Sequence, residues 1–171
     1  MRDISLDLRE VSETVLTLCR NQGLMLATAE SCTGGLISAA LTAIPGSSDV
    51  LERAFVTYTN TAKHEMLGVP LPLFETVGAV SQDVAAAMAT GAKAHSNARI
   101  AVSVTGVAGP GASERKPAGL VYIGVAGSDD TVRVEECHFD GDRDAVRHAA
   151  ALKALHMVLD AIDKGGRTAI A

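Results

Sequence analysis

The chain has 171 residues, of which 47% are hydrophobic and 20% are charged, and this composition is typical of a single globular domain, here taken as residues 1–171. Twenty acidic against fifteen basic residues give a net charge of −5, which argues against a general nucleic-acid-binding surface but leaves room for a local site for a small anion. No apolar run approaches the length of a membrane span and the N-terminus has no signal-peptide pattern, so we expect a cytoplasmic protein without a membrane partner.

In the first half of the chain, hydrophobic periodicity and helix-ending signals predict helices that alternate with strands. These elements are a helix over 8–19 stopped by Gly23, a strand over 24–29, a helix over 33–43, a strand over 54–58, and a short helix through Leu67 with Asn60 as its N-cap. A proline-bearing link over 69–80 follows.

In the second half, strands predominate before a long final helix. The predicted elements are a helix capped by Ser81 and running to about His95, strands over 99–104, 119–126 and 131–139, and a helix capped by Asp142 and ended by Gly165-Gly166. The short turn over 127–130 predicts that the last two strands pair antiparallel as a hairpin.

Strands that alternate with helices predict right-handed crossovers and an α/β fold, namely a three-layer α/β/α sandwich on a mostly parallel five-stranded sheet with one antiparallel strand. Ligands of such sheets bind beyond the carboxyl ends of the strands. Three strands end in polar or glycine-rich corners, at Glu30-Ser31, at Tyr58-Thr59-Asn60 and at Thr105-Gly106. We expect these corners to meet at one edge of the sheet.

The first corner reads Glu30-Ser31-Cys32-Thr33-Gly34-Gly35 and lies where a strand meets a predicted helix. Backbone N–H groups of residues 32–35 at such a helix start can hold a phosphate or stabilise an oxyanion. The alternative is a serine or threonine helix cap with glycines for close packing. The sequence is not a GxSxG, GxGxxG or Walker A motif, so no common motif decides between them.

Lys63 favours a catalytic interpretation of this corner. With Asn60 as N-cap it lies at the third helical position, near the positive end of the helix dipole. A lysine that is neutral near pH 7 must lose roughly three pKa units from ~10.4, which desolvation in a cleft can supply. Pairing with a lysine is one way to activate a serine nucleophile, and Tyr58 could share the proton transfer or hold Lys63 in place. The alternatives are a surface lysine and a packing tyrosine.

Two further features could bind a nucleotide. The glycine-rich corner over 105–111 could line a substrate with backbone donors, although such a segment is more often a long turn. Arg143 and Arg147 begin the last helix one turn apart and suit a phosphate through their planar donor forks, although two helical arginines usually form a solvated face. The string Ser113-Glu114-Arg115-Lys116 matches SxxK by spacing, and we interpret it as chance because it lies in a loop.

Cys32 is a rival nucleophile, since a helix start favours a thiolate. Three cysteines far apart and without CxxC spacing argue for a reducing compartment and against both a disulfide framework and a structural zinc site. The five histidines are scattered without metal-ligand spacing, so we expect no metal and no cofactor.

Five blocks of sequence stand in the order and spacing of a known family: residues 28–35, Tyr58–Lys63 with Leu67–Val69, Gly78–Ser81, Thr105–Pro110, and Gly141–Arg143 with Arg147. Over roughly residues 8–163 the chain resembles the CinA C-terminal domain family, whose stand-alone form is a nicotinamide-nucleotide amidohydrolase. The resemblance implies a mixed five-stranded sheet in an α/β/α sandwich, commonly a homodimer. It also implies hydrolysis of the carboxamide of nicotinamide mononucleotide (NMN) in pyridine-nucleotide salvage.

Under this resemblance Ser31 attacks the amide carbon, Lys63 takes its proton and later passes one to the leaving ammonia, and Tyr58 assists. The predicted substrate-binding residues are Glu30, Cys32, Thr33, Gly34, Gly35, Asn60, Thr105, Gly106, Ala108, Gly109, Arg143 and Arg147, with either arginine as the 5′-phosphate ligand. Two alternatives stay open: a non-catalytic nucleotide-binding regulatory module of the same fold, and chemistry that depends on Cys32.

Overall fold

The computed structural model describes residues 4–113 and 115–167, with side chains up to Asp163. In this part of the chain the helices are α1 (Leu6–Asn21), α2 (Leu36–Thr42), α3 (Asn60–Leu67), α4 (Leu71–Thr76), α5 (Gln82–Ala94) and α6 (Arg143–Arg167). The strands are β1 (Leu26–Glu30), β2 (Leu51–Val56), β3 (Ile100–Gly106), β4 (Leu120–Ala126) and β5 (Val132–His138). A 3₁₀ turn, Ser47–Asp49, precedes β2.

The strands form one five-stranded sheet in the order β2-β1-β3-β4-β5. β1 pairs parallel with β2 and β3, and β4 pairs antiparallel with both β3 and β5, so β4 runs against the other strands of this sheet. Glu30 is opposite Val56 on one side and Val104 on the other, which aligns the carboxyl ends of three strands. The predicted fold class, its single antiparallel strand and the hairpin are confirmed.

Helices cover both faces of the sheet, because alternate strand residues point to opposite sides. On one face α1, α2 and α6 pack on large apolar residues such as Leu26, Val102 and Ile123. On the other face α3 and α5 pack on smaller ones, including Ala27, Ala29 and Ala101. The helices and the sheet therefore form the predicted three layers.

Close packing of α5 fixes the position of α3, the helix that carries Lys63. A Cβ atom at Gly91 of α5 would lie only 1.9 Å from the carbonyl oxygen of Leu67, the last residue of α3. Only glycine lets the two backbones approach this closely. The close contact between Gly91 and Leu67 therefore holds α3 in its position beside the sheet.

Several boundary predictions are wrong, including the strand predicted over 54–58, which spans Leu51–Val56. The link over 69–80 contains the short helix α4, which begins just after Pro70 and carries Pro72 in its first turn, where a proline is tolerated because its missing N–H would be unpaired anyway. Gly165-Gly166 does not end α6, which continues to Arg167, since glycine weakens a helix without breaking it. The N-cap of α3 is Thr59 rather than Asn60, because the Thr59 hydroxyl accepts the N–H of Ala62 at 3.1 Å.

Met1–Asp3, on which the signal-peptide prediction depends, lie outside the described residues. No helix in the described part of the chain is both long enough and apolar enough to cross a bilayer.

Candidate active site

A cavity of about 330 Å³ opens at the carboxyl end of the parallel strands. This volume falls within the range of about 300 to 1,000 Å³ that small-molecule sites occupy. Ser31 follows β1, Tyr58 follows β2 and Thr105 is the second-last residue of β3, and all of them line the cavity. The predicted convergence of the three corners is therefore confirmed, while the roles of the residues there stay predictions.

Ser31 and Lys63 meet in the wall of this cavity. Nζ of Lys63 lies 3.0 Å from Oγ of Ser31 and donates to the carbonyl oxygen of Thr57 at 2.9 Å. Lys63 is 2% exposed and Ser31 is 8% exposed. The contact joins a strand end to a helix and holds both polar groups away from bulk water.

The start of α3 places Lys63 one residue later than predicted. With Thr59 as N-cap, Lys63 is the fourth helical residue, and its own N–H donates to the Thr59 carbonyl at 3.0 Å. Gly68 closes the helix with φ 69°, as the sequence predicts. The short helix therefore presents Lys63 from its first turn while its other end rests on α5.

The turn after β1 differs from the predicted helix start. Helix α2 begins at Leu36, because Gly34 and Gly35 adopt left-handed backbone with φ 61° and 94°. The N–H of Gly34 donates to the carbonyl of Ser31 at 3.0 Å, so it is not an open donor. Residues 32–35 thus form a turn between the nucleophile candidate and the helix.

Glu30 occupies the positive end of α2. Its two carboxylate oxygens accept the N–H groups of Ile37 and Ser38 at 2.9 and 3.0 Å. The side chain is fully buried and does not line the cavity. A carboxylate at a helix N-terminus is stabilising, so the geometry places Glu30 as a cap for α2.

Arg143 bridges two walls of the cavity from the first turn of α6. It donates at 2.6 Å to the hydroxyl oxygen of Tyr58 and at 2.6 Å to the carbonyl oxygen of Gly109. All three residues line the cavity, and Tyr58 is 58% exposed. The guanidinium is therefore oriented at the solvent side of the site.

Not every predicted site residue reaches the cavity. The lining includes Ser31, Cys32, Tyr58, Asn60, Lys63, Thr105, Gly106, Ala108, Gly109 and Arg143. Glu30, Thr33, Gly34, Gly35 and Arg147 are outside it. Arg147 instead donates to the carbonyl oxygen of Thr33 at 3.0 Å.

Several lining residues were not predicted from the sequence. They are Ala79, Val80, Ala112 and Ser113, whereas Val107, Pro110 and Gly111 lie in the corner over 105–111 that the sequence already suggested as a substrate lining. Most of these residues carry no functional group, so the chemistry of their side chains could not identify them. Their only signal in the sequence was that they lie in or beside the blocks at 78–81 and 105–110. The Thr105 hydroxyl donates to the carbonyl of Ala79 at 2.8 Å, which brings the first of these segments to the site.

The SxxK string does not form a second catalytic pair in the structure. The backbones of Ser113 and Lys116 pair with each other, while Nζ of Lys116 donates to the carbonyls of Val77 and Val80. Glu114 lies outside the described residues. These contacts favour the interpretation that the spacing is a coincidence.

Cys32 lines the cavity but is not activated. Burial raises the pKa of its thiol to about 11, and a backbone hydrogen bond and the charge of Arg143 offset only part of this effect. The prediction that the helix start favours a thiolate is therefore wrong, because burial has the larger effect. At neutral pH this cysteine is a protonated, weakly nucleophilic thiol.

Four of the described histidines make contacts elsewhere: for example, His64 contacts the carbonyl of Val69, and His148 pairs with Asp7. None lines the cavity. Within residues 4–113 and 115–167, no three His, Cys, Asp or Glu side chains are grouped so that they could hold a metal ion.

The chain is similar to known proteins over nearly its whole length. A family model for the CinA C-terminal domain matches residues 8–162. A protein of Enterobacter agglomerans named nicotinamide-nucleotide amidohydrolase PncC is 47% identical over 153 residues, which is 89% of this chain and 93% of that protein. A CinA-like protein of Citrifermentans bemidjiense is 47% identical over 150 residues, which is 87% of this chain but 36% of that longer protein.

A solved structure has the same architecture. The competence/damage inducible protein CihA of Agrobacterium tumefaciens aligns with a TM-score of 0.89 and 46% identity, covering 95% of this chain and 99% of that one.

Proposed function

The chain belongs to the CinA C-terminal domain family, and we propose that it is an amidohydrolase that converts NMN and water to nicotinate mononucleotide and ammonia. The observation that carries the proposal is the 3.0 Å approach of Lys63 Nζ to Ser31 Oγ in the cavity wall. The substrate class comes from the name of the relative from Enterobacter agglomerans. No cofactor is part of the proposed reaction.

In the first half of the reaction, the uncharged amine of Lys63 accepts the hydroxyl proton of Ser31 while Oγ attacks the carboxamide carbon. The carbonyl electron pair moves to oxygen and gives a tetrahedral oxyanion. The C–N bond then breaks, and the leaving nitrogen takes the proton from Lys63 and departs as ammonia. The nicotinoyl group is left as an ester on Ser31.

In the second half, water attacks the ester carbon while Lys63 accepts a proton from it. The bond from carbon to Oγ breaks as the second tetrahedral intermediate collapses, and Ser31 recovers its proton from Lys63. The product is the free acid of the nucleotide, which ionises at neutral pH. One water is consumed and one ammonia is released, so the enzyme returns to its starting state.

The surroundings of Lys63 suit a base rather than a permanent cation. Nearly complete burial favours the uncharged form of an amine. The carbonyl of Thr57 accepts one N–H of Nζ at 2.9 Å and so helps to hold the amine beside Ser31. A well-placed general base contributes about 10²- to 10⁴-fold to a rate.

Arg143 is the proposed ligand of the 5′-phosphate. Its planar donor fork suits phosphate, and two of its N–H groups are already oriented by Tyr58 and Gly109. Tyr58 in this arrangement positions Arg143 at the mouth of the site. The proposal places the reaction in cytoplasmic pyridine-nucleotide salvage by a homodimer, a state that light scattering would test.

Ammonia release from NMN by the purified protein tests the function directly. We expect steady release by the wild type, a loss of several orders of magnitude in Ser31→Ala, and near-normal release by Ser128→Ala, a control in the distant turn between β4 and β5. Undiminished release by Ser31→Ala would exclude Ser31 as the nucleophile. NMN that raises the melting temperature of the wild type without any ammonia forming would point to a non-catalytic binding module instead.

A further inference from the structure

Arg147 contacts the segment that carries Ser31 without reaching the cavity. Nη2 donates to the carbonyl oxygen of Thr33 at 3.0 Å, and Nη1 lies 3.9 Å from a carboxylate oxygen of Asp144. The side chain is 32% exposed and is not part of the cavity lining. Its contact is therefore with the backbone of the turn between β1 and α2.

The peptide between Thr33 and Gly34 is held at both ends. Arg147 binds its carbonyl oxygen, and its N–H donates to the carbonyl of Ser31 at 3.0 Å. The peptide bonds of this turn are trans, because the cis bond found among the described residues is Gly109-Pro110. The turn thus has a fixed orientation that is anchored on α6.

This anchoring determines the direction of a backbone donor beside the nucleophile. In a trans peptide the C=O and N–H groups point in opposite directions. Since the carbonyl of Ser31 points into the turn toward Gly34, the N–H of Cys32 in the same peptide plane points out of it. Ser31 and Cys32 both line the cavity, so this N–H belongs to the residue that directly follows the attacking serine.

We propose that Arg147 is a positioning residue, which fixes the turn so that the N–H of Cys32 meets the oxyanion formed when Ser31 attacks the amide. The inference rests on the proposed amidase function and gives Arg147 a role other than binding phosphate. Donors aimed at an oxyanion act mainly in the transition state. Arg147 therefore influences turnover more than substrate binding.

Steady-state kinetics of three variants separate these roles. Arg147→Met removes the hydrogen-bond donors and keeps most of the aliphatic part of the side chain. Arg147→Lys keeps the charge but offers a single nitrogen at a different distance from the backbone. Asp144→Asn removes only the ion pair. kcat and KM for ammonia release are measured with NMN, and kcat/KM also with nicotinamide riboside, which has no phosphate. Melting temperatures establish that each variant is folded.

For Arg147→Met we expect kcat to fall about tenfold to a hundredfold, the loss that a small displacement of a reacting group causes, with KM nearly unchanged. The same fractional loss should appear with the riboside. Arg147→Lys should be intermediate in kcat, and Asp144→Asn should match the wild type. If Arg147→Met does not fold, the kcat and KM of Arg147→Lys decide the question.

A raised KM for NMN with normal kcat, absent with the riboside, would make Arg147 a phosphate ligand and overturn the inference. Unchanged kcat in both Arg147 variants would also overturn it. In either case an active wild type leaves the proposed amidase function intact. A wild type that releases no ammonia would instead overturn the proposed function, and this inference with it.

Discussion

Nζ of Lys63 lies 3.0 Å from Oγ of Ser31, although 32 positions separate the two residues in the chain. Ser31 follows β1, and Lys63 lies on the helix that follows β2. Because β1 and β2 are adjacent and parallel, their carboxyl ends lie side by side and the residues after them can touch. The contact is therefore a consequence of strand order.

Replacing Lys63 with arginine should abolish ammonia release almost as completely as replacing it with methionine. Arginine keeps the positive charge but does not become neutral in a protein, so it cannot accept the proton of Ser31. We expect kcat to fall by about 10²- to 10⁴-fold, the usual contribution of a general base. The measurement is ammonia release at saturating NMN, with folding checked by melting temperature.

Lys93→Arg is the matched control, because Lys93 donates to the carbonyl of Gly127 and to Asp130, contacts that arginine can also make. Its kcat should stay near that of the wild type. A folded Lys63→Arg variant with most of its activity would rule out a proton-accepting role for Lys63.

Cys32 should resist alkylation near neutral pH. With burial holding the pKa of this thiol at about 11, only about 10⁻⁴ of the molecules carry the thiolate at pH 7. The rate of modification by iodoacetamide should therefore rise with pH up to about 11, as far as the protein stays folded. Peptide mass mapping distinguishes Cys32 from Cys19 and Cys137.

Cys32→Ser should keep the amidase reaction, since the backbone N–H and approximate side-chain size are retained. Rapid alkylation of Cys32 at pH 7 with parallel loss of activity, in a protein whose Ser31→Ala variant remains active, would favour the cysteine as nucleophile.

Tyr58 and Arg143 should act as a coupled pair in substrate binding. Arg143→Met removes the proposed phosphate ligand, and a charge-assisted hydrogen bond is worth about 1.5 to 3 kcal/mol, or roughly a tenfold to hundredfold rise in KM. Tyr58→Phe removes the hydroxyl that accepts from Arg143 at 2.6 Å and should raise KM by less. The double variant should be less impaired than the product of the single effects.

Nicotinamide riboside supplies the control for this pair, since it lacks the phosphate. Its kcat/KM should change little in Arg143→Met. Independent, multiplicative effects of the two substitutions on KM would show that the hydrogen bond between them does not matter for binding.

Much of the fold could be predicted because local patterns determine it. Apolar periodicity located α1, α5 and the strands, and the alternation of helices and strands then implied the layers and the parallel core of the sheet. Helix α4 was missed because its proline-rich sequence is typical of a link. This short helix has no buried residue, so its sequence lacks the periodic apolar face from which a helix can be predicted.

The site was only partly predictable for a different reason. Strand ends such as Ser31 and Thr105 could be placed, because parallel strands align their carboxyl ends. The direction of each side chain depends on partners that lie elsewhere in the sequence. The Glu30 carboxylate accepts backbone N–H groups at the start of α2, and Arg147 donates to the backbone carbonyl of Thr33. A carboxylate at a strand end gives no sequence signal that distinguishes a helix cap from a substrate ligand.

Glu30→Gln tests that distinction. In the structure both carboxylate oxygens accept backbone N–H groups of α2, whereas glutamine offers one oxygen and turns an NH₂ group toward the second donor. Losing a charge-assisted bond to a buried group costs about 1.5 to 3 kcal/mol. We expect the free energy of unfolding in urea to fall by about that amount, while KM for NMN stays close to the wild-type value.

Glu10→Gln is the control, since Glu10 is an exposed residue of α1 and a surface substitution of this kind stays within about 0.5 kcal/mol. Because Glu30 also fixes the start of α2, immediately after the turn that follows Ser31, a moderate fall in kcat is compatible with its role as a cap. A stable Glu30→Gln variant with a strongly raised KM would instead mean that the carboxylate turns toward the nucleotide when substrate binds.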